Sequence, residues 1–258
     1  MTKILFELVD TIKTITINNP KAKNAISPED SAQLGKIINE SLEDGTRVII
    51  LTGAEGNFCS GADLVSTLQK GADFSVPTYL REIVNPIILQ MRNTNIPIIA
   101  KVRGVSAGLG ANFALACDMV YANTTAYFSQ IFTNIALSSD GGGAYFMPQA
   151  IGYKKAFELM TTATKLPAQE AVALGLINYA LPDEELDQAV QEMATRLATG
   201  AYIAIQHTKA NLREGITGTL ASTLELEAYH QGLNGKTSDF TEGLSAFFQK
   251  RKPNYTGK

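Results

Sequence analysis

Three short apolar runs constrain this chain more than any other feature. Arg47-Val-Ile-Ile-Leu-Thr52 ends in Gly53, Ile96-Pro-Ile-Ile-Ala-Lys-Val102 ends just before Gly104, and Met119-Val-Tyr121 follows a stretch of Gly and Ala. A run that is apolar at successive positions cannot leave one face in water, as an alternating strand does. Each therefore reads as a buried parallel strand with helices on both sides. Helical patterns lie between them. Ser27-Pro28-Glu29-Asp30 combines an N-cap, a proline at the first helical position and acids in the first turn, and Leu34, Ile37, Ile38 and Leu42 follow at helical spacing. Residues 77–95 read as a second helix, and 108–117 as a third.

The ends of the chain differ. Ile4, Phe6 and Leu8, then Ile12, Thr14, Ile15 and Ile17, predict a hairpin turning near Asp10-Thr11. Ala126-Tyr127-Phe128 reads as a short fourth strand. From Ala144 the chain reads as mostly helices, broken at Gly152, Pro167, Gly175-Leu176-Ile177, Pro182, Gly200, Gly215 and Gly235. Alternating strands and helices followed by helices alone give an α/β fold with a helical C-terminal region.

Composition excludes several functions. With 22 basic and 25 acidic residues the net charge is −3, against a concentrated positive surface for nucleic acid. Lys101, Arg103 and Asp118 interrupt the most apolar stretch, Ile96–Ala122, well short of a clean membrane span of about 20 residues. Glu7 and Asp10 stand where the apolar core of a signal peptide would be. The two cysteines, Cys59 and Cys117, and the two histidines, His207 and His230, form no metal-binding or disulfide pattern. A cytoplasmic setting is expected, with no nucleic-acid or membrane partner, no metal and no cofactor. His207 and His230 are read as surface or packing residues.

Two loops after strands carry the chemistry. Asn57-Phe-Cys-Ser-Gly-Ala-Asp-Leu64 and Gly104-Val-Ser-Ala-Gly-Leu-Gly-Ala-Asn112 place small residues where an α/β sheet binds ligands, beyond the carboxyl ends of its strands. Neither has the spacing of a phosphate loop or a dinucleotide fingerprint. Small residues let a ligand approach backbone N–H groups, and two such groups aimed at one oxygen make an oxyanion hole. The plainer alternative is close helix–strand packing.

Together these motifs resemble the crotonase family, the enoyl-CoA hydratases and isomerases. The similarity runs through Phe58-Cys-Ser-Gly-Ala-Asp-Leu64, Ile96 to Gly110, Ala116-Cys-Asp-Met-Val-Tyr-Ala122, Ala168-Gln-Glu-Ala-Val-Ala-Leu-Gly-Leu-Ile-Asn178 and Glu242-Gly-Leu-Ser-Ala-Phe-Phe-Gln-Lys-Arg-Lys-Pro253. It implies a spiral of ββα units over residues 1–200 and a helical trimerisation region over 201–258. It also implies a homotrimer or dimer of trimers and an acyl-CoA substrate, the coenzyme A being part of that substrate. By resemblance the amides of Ala62 and Leu109 form the oxyanion hole. Lys23, Ala25, Ser60, Gly61, Asp63, Leu64, Gly108, Asn112, Phe132, Phe247 and Lys250 are implied as substrate contacts. Lys21, Lys23, Lys250 and Arg251 are placed to meet CoA phosphates, although a basic chain end also suits a solvated helix terminus. Ala62 and Leu64 are implied to flank adenine and pantetheine. The acyl pocket is expected to be lined from Leu64 to Leu80.

The acids depart from the hydratase pattern. The positions of the family's two water-holding glutamates hold Asn112 and Phe132, and neither can take a proton from water. One acid stands nearby, Asp140, ahead of Gly141-Gly-Gly143, where the family's isomerases carry their single carboxylate. One carboxylate suffices to move a proton from C2 to C4 of a 3-enoyl thioester. The expected activity is Δ3-Δ2-enoyl-CoA isomerisation with Asp140 as acid and base, its pKa raised by Phe132, Leu137 and Phe146. The alternatives are a hydratase-like lyase and a catalytically weak acyl-CoA-binding protein. An attacking Asp140, as in the aryl-CoA dehalogenases, fits poorly: the chain has no Trp, and neither His is placed as a base. Asp140 can also be read as a helix cap, Asn112 as a buried amide, and Asp63 as a brace for its own loop.

Overall fold

The computed structural model describes residues 3–71 and 74–258. Met1, Thr2 and residues 72–73, the last two within the expected acyl-pocket stretch, lie outside the described residues. The predicted hairpin is β1 (Ile4–Val9) and β2 (Ile12–Ile17), turned at Asp10 with φ +54°. β3 (Val48–Gly53), β4 (Ile98–Val102) and β6 (Met119–Asn123) run parallel, and the sheet order is β1-β2-β3-β4-β6-β9. Its last member is β9 (Tyr179–Leu181).

The two-faced burial of the central strands is as predicted. Ile49, Leu51, Ile98, Ala100 and Val120 face the main core, with α1 (Pro28–Glu40) supplying Leu34, Ile37 and Ile38. Val48, Ile50, Ile99 and Tyr121 face the other way, onto Leu186, Val190, Ala194 and Ala198 of α9 (Asp183–Ala198). β1 departs from the expected alternation. It is the sheet edge, and Leu5, Phe6, Leu8 and Val9 are all exposed there.

A second, three-stranded sheet has the order β5-β7-β8, from β5 (Val105–Ala107), β7 (Tyr127–Ser129) and β8 (Leu166–Pro167). The chain climbs as repeated turns: one strand in the large sheet, one in the small, then a helix. β4 and β5 lead to α5 (Leu109–Ala116), and β6 and β7 lead to α6 (Gly143–Ile151). β3 leads through Cys59, bridged to Ser106, to α2 (Leu64–Gln69). The strands β5, β8 and β9 were not predicted. Each has two or three residues, too few for a period to show.

The helix predicted over 77–95 is α3 (Val76–Tyr79), a π-turn over Leu80–Val84, and α4 (Asn85–Asn93). Pro86 has no N–H to give, and the widened turn before it absorbs that loss. α7 (Tyr153–Thr162) and α8 (Ala168–Ala173) complete the core.

The C-terminal region holds α10 (Tyr202–Thr217), α11 (Leu220–Asn234) and α12 (Ser238–Gln249). The expected break at Gly215 does not occur; α10 continues through it and stops at Gly218. Lys209 ties α10 to the core, donating to Ile96 O at 2.8 Å and Asp118 Oδ2 at 2.7 Å. His207 and His230 are packing residues, stacked 4.1 Å apart between α10 and α11. No helix among the described residues is long and apolar enough to cross a membrane.

Candidate active site

The two predicted loops meet. Gly61 has φ +105°, and a side chain there would begin 3.0 Å from Ala107 O and 3.6 Å from Leu109 N. Only glycine fits that approach. Ile26 holds one side of the loop, donating to Gly61 O and accepting from Asp63 N, each at 2.9 Å. The Ala62 amide between them, and the Leu109 amide opening α5, have no acceptor among the described residues. Leu109 is the first residue of a helix, so its N–H is free by construction and carries the positive end of the helix dipole. Two unpaired amides on adjoining loops can receive one oxygen that gains negative charge.

Asp140 stands in a turn that packs on α5: a side chain on the next residue, Gly141, would begin 2.7 Å from Leu109 Cδ1 and 3.3 Å from Asn112 Cβ. The main-chain oxygen of Asp140 accepts from Asn112 Nδ2 at 2.7 Å and Gly143 N at 3.2 Å. Its carboxylate makes no such bond. Among the described residues, two buried side-chain oxygens lack a partner, Ser106 Oγ and Asp140 Oδ1. The cap reading fails accordingly: Gly142 is the N-cap of α6, with no side-chain capping bond. Burial alone pushes the Asp140 carboxyl up to about 6. Phe132 is buried and Phe146 half-buried, whereas Leu137, expected to join them, is exposed.

The hydratase positions are closed. Asn112 is wholly buried and accepts from Gln130 Nε2 at 2.8 Å. Expected as a substrate contact, it instead lies behind Asp140, because both ends of its amide are engaged by the protein. The Phe132 ring comes within 3.7 Å of where a side chain on Gly108 would begin. Asp63 is also corrected. Its carboxylate caps α2, accepting from Ser66 N at 3.1 Å, so the brace reading holds.

Of the remaining predicted residues, Lys23, Ala25, Ser60 and Leu64 lie along a rim beside Gly61. Lys23 is exposed, and its carbonyl takes the Ser60 amide at 3.0 Å. Ser60 Oγ donates to Ala22 O at 2.9 Å, and Ala25 O accepts from Asn19 Nδ2 at 2.8 Å. Leu64 opens α2, 47% exposed. Phe247 and Lys250, at the end of α12, are exposed and have no bond to this rim. A largely apolar cleft of about 480 Å³ lies elsewhere, under α10. Its one acid, Asp118, is held by Lys209.

Sequence reasoning missed three residues here. Gln130 and Ser139 continue the polar chain behind Asp140, Ser139 Oγ donating to Gln130 Oε1 at 3.3 Å. A lone Gln between Phe128 and Phe132 was a usable signal. Tyr79 is buried, shares a hydrogen bond with Ser31 Oγ at 3.0 Å and packs on Phe74. Burial, with the Asp140 charge adding to it, pushes its hydroxyl up to about 12. Nothing in the sequence marked it.

The model for the family described as "Enoyl-CoA hydratase/isomerase" matches residues 7–258. A protein of Rhodobacter capsulatus named "Probable enoyl-CoA hydratase" is 35% identical, over 99% of this chain and 98% of its own. The "1,2-epoxyphenylacetyl-CoA isomerase" of Escherichia coli K12 is 34% identical over the same shares. The crystal structure of an enoyl-CoA hydratase from Bacillus anthracis superposes with a TM-score of 0.91 at 30% identity, covering all of both chains.

Proposed function

This chain belongs to the enoyl-CoA hydratase/isomerase family, acting on acyl-CoA thioesters, and we propose that it is a double-bond isomerase with a single carboxylate. The observation that carries the reading is the buried, unpartnered Oδ1 of Asp140, in a turn that packs on Leu109 and Asn112 of α5, the helix whose first amide is open. A carboxylate fixed by several N–H groups is a poor base. One left without them in an apolar setting has an affinity for a proton suited to neutral pH.

The thioester oxygen receives the Ala62 and Leu109 amides. Asp140 removes a proton from C2 of a 3-enoyl thioester, and negative charge moves onto that oxygen, where the amides stabilise it. The same carboxyl, now protonated, returns the proton to C4, and the 2-enoyl thioester leaves. Nothing is oxidised and no water enters. Hydration is disfavoured because a buried amide and a phenyl ring stand where two carboxylates would hold the water. The similarity to the Escherichia coli enzyme supports isomerisation of a CoA thioester, that enzyme being named for an epoxide substrate.

The test is a paired assay on the purified protein and Asp140→Asn. One arm follows conjugation of 3-enoyl-CoA, the other water addition to 2-enoyl-CoA. The expected result is isomerisation that falls by about 10²–10⁴-fold in the variant, with thioester binding kept. Water addition by the unaltered protein at a comparable rate would overturn the reading.

A further inference from the structure

A chain of polar side chains, Ser139–Gln130–Asn112, lies behind the turn at Asp140. Gln130 Nε2 donates to Asn112 Oδ1 and Asn112 Nδ2 to the Asp140 carbonyl, at 2.8 and 2.7 Å, while Ser139 Oγ lies 3.3 Å from both Gln130 Oε1 and the Asp140 carbonyl and has one proton to give between them. Gln130 is 4% exposed and Asn112 not at all. The three elements involved come from separate parts of the chain: Asn112 in mid-α5, Gln130 after β7, Ser139 and Asp140 in the turn before α6.

The glycines of that turn are shaped to this chain. A side chain on Gly143 would begin 2.5 Å from Ser139 Oγ and 2.7 Å from Asn112 Oδ1, closer than real contacts allow. The turn is moulded onto the amide. A turn held only by its own backbone would leave the Asp140 side chain free to swing toward the first turn of α6, where Ala144 N has no main-chain acceptor among the described residues, while Gly143 N and Tyr145 N are bonded to the Asp140 and Gly142 carbonyls. Here it does not.

We propose that Asn112 and Gln130 are positioning residues for Asp140: Asn112 holds its main-chain carbonyl from behind and Gln130 holds Asn112, which keeps the carboxylate off the open first-turn amide of α6. The proposal deepens the isomerase reading and rests on it for its catalytic consequence. Without the grip, the carboxylate turns to that amide, is stabilised as an anion and becomes a weaker base. Asn112 thus serves the reaction without touching substrate.

Among the described residues, the titratable side chain that feels the Asp140 charge is Tyr79 of α3, which also feels Cys59 and Glu29, and the nearest cation on the Phe146 side is Arg92, 5.8 Å from that ring. Tyr79 and Cys59 are each pushed up to about 12 and stay neutral in the range that matters. Glu29 is exposed, and its bond to Lys70 lowers its pKa.

The experiment is a carbon-13 titration of the full chain labelled at the aspartate carboxyls. The Asp140 signal is identified by its loss in Asp140→Asn. Two near-isosteric variants, Gln130→Met and Asn112→Leu, each break the grip, so misfolding of one leaves the other. Asp140 is expected to titrate near pH 6 in the unaltered protein and to be at least tenfold more acidic in a folded variant. The acid limb of the isomerisation profile moves down with it, and kcat at neutral pH falls about tenfold or more at nearly constant KM. An unchanged Asp140 midpoint in a folded variant overturns the proposal, whatever happens to kcat, because a merely structural role lowers activity without moving a titration. Absence of isomerisation in the unaltered protein would sink the isomerase reading and leave the titration test standing.

Discussion

Replacing Asp140 by Asn is expected to make the protein more stable, and the sign of that change separates catalysis from capping. The folded carboxyl titrates at about 6, against 3.8 for the ordinary group. Between those values the folded chain holds a proton that the unfolded chain has released. Stability therefore declines as pH rises through this window. At about 1.4 kcal/mol per pH unit, the loss across the window is about 3 kcal/mol. It is absent below pH 3.8 and complete above about pH 6.5. An Asn side chain carries no such charge, so Asp140→Asn gains up to about 3 kcal/mol at pH 7 and little at pH 3.5. A capping Asp gives the opposite sign: a pKa lowered by helix amides, and a loss of about 0.3–1 kcal/mol at pH 7 on removal of the charge, since Asn still caps. The assay is urea unfolding of both proteins from pH 3.5 to 7.5 at one protein concentration, because assembly would shift both midpoints by mass action. Groups other than Asp140 change with pH in both proteins and cancel in the difference. A difference that is flat with pH, or a variant less stable at pH 7, would refute the argument.

Three further outcomes follow from the geometry. Leu109→Pro removes the amide at a helix position where proline is tolerated, so kcat/KM should fall by about 10²–10³-fold, whereas Leu109→Ala keeps the amide and should stay within a few fold; equal losses in the two would discount the Leu109 amide. Lys209→Met leaves Asp118 without its cation and frees α10 from the core, a cost of about 3 kcal/mol; hydrogen exchange should accelerate in α10 before β3, and uniform acceleration would count against the tether. Light scattering should give an oligomer, since α12 exposes Phe240, Leu244, Phe247 and Phe248 on a chain with a further apolar edge at β1, and the family resemblance implies a trimer or a multiple of one; a monomer at micromolar concentration would contradict that.

What the sequence showed depended on the range of the interactions involved. β3 and β4 were legible because burial on both faces leaves no polar position in a run such as Val48-Ile-Ile-Leu51. The start of α1 was legible because Ser27 and Asp30 are three residues apart and bond each other. The two glycine loops were legible because small residues directly after an apolar run are a local pattern, and Gly61 does take a positive φ there. The strands β5, β8 and β9 were not, since two or three residues form a strand only when a partner strand is supplied from elsewhere in the chain. The same holds within the site. Asp140 could be singled out as an acid before glycines, but its freedom from the α6 amides depends on Asn112, 28 residues earlier. Asn112 looked like a substrate contact because its role is decided by Gln130, which no local pattern links to it.

These long-range bonds also bear on why the site can keep an unpartnered acid at all. A carboxylate in an apolar pocket has two ways to relax: swing onto the nearest free N–H groups, or neutralise by holding a proton. The turn closes the first route, because its carbonyl is gripped by Asn112 and its glycines lie flush against the amide. The second route remains, and it is the useful one, since a group that exchanges a proton near neutral pH can both take and return one. On the isomerase reading, Asn112 in place of a water-holding carboxylate therefore does two things at once. It withdraws the charge that hydration needs, and it supplies the donor that fixes Asp140. Restoring an acid there by Asn112→Glu should consequently not yield a hydratase. It would place a second carboxylate behind the first, remove the donor to the Asp140 carbonyl, and leave Phe132 where the other acid would have to be.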